Sequence, residues 1–169
     1  ARLWTVPPGS VIWVTFVRRI RRSLGVRDCV QSTGRDMPRL RVGDAAIDYR
    51  IAGRTGPLVV QLHGLTSSRA RDAEMGLDLV RALRGHRVLK YDARGHGSST
   101  GTKDEASYGW DRLADDLLAL LDHVAPGERV HALGPSMGTG TLLHAAVRDP
   151  ERFTSLTFAL PPLLALRRF

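Results

Sequence analysis

The stretch VHALGPSMGTGTLLHAAV, Val130 to Val147, decides the fold. Val130, Ala132 and Leu133 form a short apolar run, GPSMG follows at once, and the rest has helical spacing. That order predicts a strand, a sharp turn and a helix, with Ser136 at the apex of a G-x-S-x-G pattern. A turn this tight brings the strand and helix backbones together, so a Cβ at Gly134 or Gly138 would clash. The serine hydroxyl is then held clear of the backbone, and the N–H of Met137, opening the helix, points into the same space. The partial positive charge of a helix N-terminus favours an oxyanion there.

Outward from this stretch, strands and helices alternate. RLRV, Gly43-Asp44 and AAIDYRIAG predict an antiparallel hairpin, Arg39–Val42 with Ala46–Ile51. Leu58–Leu62 is an apolar run that suits a strand buried on both faces. Ala70–Leu83 has helical spacing, Arg87–Tyr91 reads as a strand, and Asp92–Thr102 as a loop of small residues. Trp110, Leu113, Leu117, Leu121 and Val124 make an amphipathic helix whose other face carries Asp111, Asp115 and Asp116, read as solvated. Leu156–Leu160 is a last strand before Pro161-Pro162. The expected class is α/β, a mostly parallel sheet opened by an antiparallel hairpin.

The 169 residues suit one domain, and no segment approaches a run of ~18 apolar residues. Of the net charge of +8, residues 1–39 carry +6, so the rest of the chain is near balance and nucleic acid is not an expected partner. Arginine outnumbers lysine 23 to 2, read as the coding bias of a GC-rich, bacterial genome. The lone Cys29 excludes an intramolecular disulfide or a cysteine metal cluster, and suits a cytoplasmic setting. Val11–Val17 is apolar and precedes RRIRR, the reverse of a secretory signal. Residues 1–38 are expected to be an arginine-rich extension and linker, with a membrane-surface or partner-binding segment as the alternative. The domain is expected to be partial and to run over 39–169, ending on an unfinished strand with an exposed apolar edge.

Three motifs follow three successive predicted strands: LHG at 62–64, DARGHGSS at 92–99 and GPSMG at 134–138. In this order they resemble the α/β-hydrolase family, of the esterase and lactonase kind, over its N-terminal half. The resemblance implies a serine hydrolase with Ser136 as nucleophile, and an oxyanion hole made by the backbone N–H groups of Met137 and Leu65. It implies supporting roles for His63, Gly64, Asp92, Arg94, His96, Gly134 and Gly138. The substrate would be a small-molecule carboxylic ester or lactone, cleaved through an acyl-enzyme, with no cofactor and no metal. Family members that open epoxides carry a carboxylate at the apex, which Ser136 is not.

The family's catalytic acid and histidine have no match in this chain. His144 lies eight residues past Ser136, roughly 11 Å along a helix and out of reach of its hydroxyl. The alternative reading is therefore an inactive fragment, or a non-enzymatic binding module on the same fold. No membrane-spanning segment is expected, and the sequence says nothing about oligomeric state.

Overall fold

The computed structural model describes residues 11–14 and 38–162. One seven-stranded sheet organises them. In chain order the strands are β1 (Val11–Val14), β2 (Arg39–Val42), β3 (Ala45–Ala52), β4 (Leu58–Gln61), β5 (Arg87–Tyr91), β6 (Val130–Pro135) and β7 (Phe153–Ala159). Across the sheet they run β1-β7-β6-β4-β5-β3-β2. The β2–β3 and β3–β5 pairs are antiparallel and the others parallel. The expected mostly parallel sheet opened by a hairpin is what forms, with Gly43 at φ 58° in the hairpin turn.

Two helices cover one face, α2 (Trp110–Val124) and α3 (Met137–Arg148). The spacing of apolar residues in α2 buries Leu113, Leu117, Leu120 and Leu121 against Ile47, Leu58, Val60 and Leu89. Along β6 the alternation is plain: Val130 and Ala132 are buried on that side, while His131 and Leu133 turn to the other. Where apolar side chains point to both faces, as in β4, neither face is left to water.

The other face is covered partly by the segment read as one helix over Ala70–Leu83. It is broken instead into α1 (Arg69–Glu74) and a 3-10 turn at Leu79–Arg81. Gly76 takes φ 74°, which ends the first piece, and the Asp78 carboxylate accepts from the Val80 N–H to start the second. Buried polar groups hold this broken segment to the sheet. Gln61 donates to the Leu77 carbonyl at 2.7 Å and accepts from the Leu79 N–H at 3.1 Å, and Lys90 pairs with Asp78 at 2.6 Å. Each is satisfied, as a buried polar group must be to avoid a desolvation cost of about 1–3 kcal/mol.

The last strand starts earlier than expected, at Phe153, and its outer edge is not open. Val11–Val14 runs parallel to β7, with Val11 opposite Ser155 and Val14 opposite Phe158. The reading of residues 1–38 as extension and linker otherwise falls outside the described residues, as does the final LLALRRF segment. Because β1 covers the β7 edge, deleting residues 1–37 uncovers a row of unpaired backbone groups. The deletion variant is expected to self-associate in light scattering where the whole chain does not; a monomeric deletion variant would refute the role of β1.

Candidate active site

Ser136 sits between the end of β6 and the first turn of α3, with φ 49° and ψ −110°. A non-glycine residue in such a conformation costs about 1–3 kcal/mol and persists only where its surroundings determine it. Those surroundings are the two glycines. A Cβ on Gly134 would lie 2.7 Å from the Gly138 carbonyl carbon, and one on Gly138 would lie 2.8 Å from Leu62 Cβ. Only hydrogen at both positions lets β6, α3 and β4 approach this closely. The Ser136 N–H donates to the Ala159 carbonyl at 2.8 Å, tying the turn to the end of β7. The Ser136 hydroxyl makes no capping bond to its own helix.

The turn after β4 meets this elbow. A Cβ on Gly64 would stand 3.9 Å from Ser136 Cβ, so the His63-Gly64 turn lies directly beside the serine. Leu65 follows, 63% exposed. Neither the Leu65 N–H nor the Met137 N–H has a hydrogen-bond acceptor among the described residues. Two unoccupied backbone donors therefore belong to the two turns that meet at Ser136.

His63 is buried and braces this turn. Its Nδ1 is 2.8 Å from the Gly64 carbonyl and its Nε2 accepts from the Ala93 N–H at 3.0 Å. Both bonds are made at once only by the neutral ring protonated on Nδ1. Burial holds the His63 pKa below its ordinary value of 6.5, against the pull of the Gly64 carbonyl in the other direction.

The loop after β5 packs against the same turn. Asp92 is buried and accepts from the Arg69 N–H at 2.8 Å and the Ser98 N–H at 3.0 Å. His96 places Nδ1 2.9 Å from the Arg94 carbonyl and Nε2 2.7 Å from the Leu65 carbonyl. Arg94 makes a two-pronged pair with Asp116, both bonds at 2.6 Å, and also reaches Asp44 and the Ser107 carbonyl. That pair corrects the expectation for Asp116. It is 1% exposed, because the loop after β5 lays a guanidinium over this position of α2. The Asp116 carboxylate in turn pushes the Arg94 pKa up.

Two participants, Arg69 and Asp48, carry little signal in the sequence. Arg69, at the start of α1, bonds Asp48 of β3 and lies 3.4 Å from Asp92, so it links three elements under the site. Its signal was weak: an arginine at a helix start opposes the helix dipole, which is a hint of a specific partner.

All six histidines are placed and none bonds Ser136. His86 is half-buried near the start of β5, and exposed His123 meets the Tyr49 hydroxyl at 3.1 Å. His131 bonds Ser155 at 2.7 Å on the sheet face away from α2 and α3. His144 lies two turns along α3, stacked on Trp110 and paired with Asp111. Among the described residues no group of three or more His, Cys, Asp or Glu side chains is placed to hold a metal, and no helix is long and apolar enough to cross a membrane.

The family profile of the alpha/beta hydrolase fold matches residues 57–168. The chain belongs to the α/β-hydrolase family. It is 33% identical over 152 residues to the mouse sn-1-specific diacylglycerol lipase ABHD11, a match covering 89% of this chain and 47% of that protein. It is 35% identical over 115 residues to the bifunctional esterase/perhydrolase DCH of Acinetobacter calcoaceticus, covering 66% of this chain and 40% of that one. Among solved structures, a hydrolase from Pseudomonas aeruginosa PA01 superposes with a TM-score of 0.62 at 32% identity, over 72% of this chain and 44% of that one. The chain thus spans about half the length, or less, of the relatives it matches.

The neutral requirement at His63 makes the site acid-sensitive. Because its folded pKa is depressed, the unfolded chain binds more protons just below pH 6.5. The contribution is complete above that value and is lost as pH falls through the folded pKa. The melting temperature should therefore drop on going from about pH 7 to about pH 5, with a shallower drop in His63→Asn. Equal slopes for the two proteins would refute it.

Proposed function

We propose that Ser136 is the nucleophile of a serine hydrolase acting on carboxylic esters or lactones. The observation that carries this reading is the strained backbone at residue 136. It holds a hydroxyl unbonded to its own helix near the Leu65 and Met137 N–H groups, which have no acceptor among the described residues. Attack of Ser136 Oγ on an ester carbonyl breaks the C=O π bond and places negative charge on oxygen. The Met137 and Leu65 N–H groups would stabilise that oxyanion, each such donor being worth about 3 kcal/mol. Collapse expels the alcohol and leaves an acyl group on Ser136, which water removes. The names of the lipase and esterase relatives support an ester substrate.

Among the described residues no histidine bonds the Ser136 hydroxyl. The proton accepted from Ser136 would go to a histidine supplied, with its acid partner, from sequence beyond these residues. His63, Gly64, Asp92, Arg94 and His96 would support the turns rather than touch the substrate. The single cysteine supports a cytoplasmic setting.

The competing reading is a chain that is inactive by itself, and it has its own observation: the Ser136 hydroxyl is hydrogen-bonded to no base among the described residues. A fluorophosphonate probe separates the two. The full-length protein is expected to be labelled and its Ser136→Ala variant not, while residues 1–169 alone label slowly or not at all. Labelling that survives Ser136→Ala would overturn the assignment of the nucleophile. Rapid labelling of the isolated chain would mean that one of its own histidines acts as base.

A further inference from the structure

Ser136 occupies the N-cap position of α3, where a serine hydroxyl ordinarily accepts a hydrogen bond from an N–H of the first turn. It makes no such bond. The tether at this end of the helix comes from a different hydroxyl. Thr139, the third residue of α3, is 0% exposed. Its Oγ1 donates to the Gly134 carbonyl at 2.6 Å and stands 3.1 Å from the Ala159 carbonyl. Gly134 lies in the strand that enters the elbow. Ala159 ends the neighbouring strand, and its carbonyl also accepts the Ser136 N–H at 2.8 Å. One hydroxyl therefore spans the strand before the nucleophile, the helix after it and the strand beside it.

Another threonine on the same helix gives the contrast. Thr141 is also buried, and its Oγ1 bonds the Met137 carbonyl four residues back at 3.0 Å. That is the ordinary way a helical threonine satisfies its hydroxyl. Thr139 instead reaches five residues back, out of the helix and into β6. Its branched Cβ limits the rotamers open to it, so the hydroxyl is held on this path.

We propose that Thr139 is a positioning residue for the nucleophile: its hydroxyl, donating to the Gly134 and Ala159 carbonyls, ties the first turn of α3 to the two strands at the elbow, a link that the Ser136 hydroxyl does not make. The proposal rests on the reading of Ser136 as nucleophile. Its consequence is specific to turnover. Loosening the elbow displaces the attacking oxygen relative to the oxyanion donors and leaves the surfaces that bind substrate in place. Small displacements of a reacting group lower kcat steeply.

The test is steady-state hydrolysis of a p-nitrophenyl ester by the full-length protein, with thermal melts alongside, for T139V, T139S, T139C, T141V and S136A. T139V keeps the shape and loses the hydroxyl; its kcat is expected to fall about tenfold or more while KM stays within about twofold. T139S keeps the hydroxyl and should restore kcat to within about threefold, and T141V should leave kcat unchanged. A T139V protein that turns over like the parent, or a T139S protein as slow as T139V, would overturn the proposal. If T139V does not fold, T139C decides: a thiol is a weak donor, so undiminished kcat in T139C is equally fatal. An inactive S136A beside an undiminished T139V removes the role of Thr139 alone, whereas an active S136A removes the nucleophile and this proposal with it.

Discussion

Everything around the site depends on a left-handed backbone at residue 136. An L-residue resists φ 49°, so the conformation exists only because the neighbours leave no alternative. Gly134 and Gly138 let β6, α3 and β4 close on one another, and the Ser136 N–H fixes the turn to the end of β7. From that constraint follow the start of α3, the direction of the serine hydroxyl and the unoccupied N–H of Met137. The Gly64 turn packs against the same elbow: a Cβ there would stand 3.9 Å from both the Pro135 carbonyl oxygen and Ser136 Cβ.

Charge does the bracing one layer further out. The loops that meet at the elbow are short of apolar side chains and are held by buried ions instead. Asp48, Arg69 and Asp92 join β3, α1 and the loop after β5, while Arg94 and Asp116 join that loop to α2. Removing one partner from such a pair leaves an uncompensated buried charge, which costs about 3–5 kcal/mol. Their contribution here is geometric: they fix the loop after β5 and the start of α1 relative to β3 and α2. His63 belongs with them, since it serves as a neutral spacer between Gly64 and Ala93.

Much of this was legible in the chain because it is written at short range. The glycines two residues either side of Ser136, the LHG and RGHG turns and the 3- and 4-residue spacing of α2 each declare themselves within a few positions, and the fold class follows from their order. What was missed is written between distant positions. Asp116 looked like part of a solvated helix face because the guanidinium that covers it is 22 residues away. The break at Gly76 in the helix expected over Ala70–Leu83 is the local exception: backbone freedom there outweighs apolar spacing. Val11–Val14 lies beside β7, which begins at Phe153, and no local pattern announces a partner that far along the chain. Thr139 carries no signal of its own, because a threonine in a helix is ordinary until its acceptor is known.

The central proposal is geometric: Ser136 Oγ attacks the carbonyl carbon whose oxygen the Leu65 and Met137 N–H groups bind. A crystal structure of the full-length protein after reaction with a fluorophosphonate measures it directly. The account predicts phosphorus bonded to Ser136 Oγ, with the phosphonyl oxygen about 2.7–3.1 Å from both the Met137 and the Leu65 backbone nitrogens. A phosphonyl oxygen turned away from both nitrogens, or phosphorus on any other side chain, would contradict it.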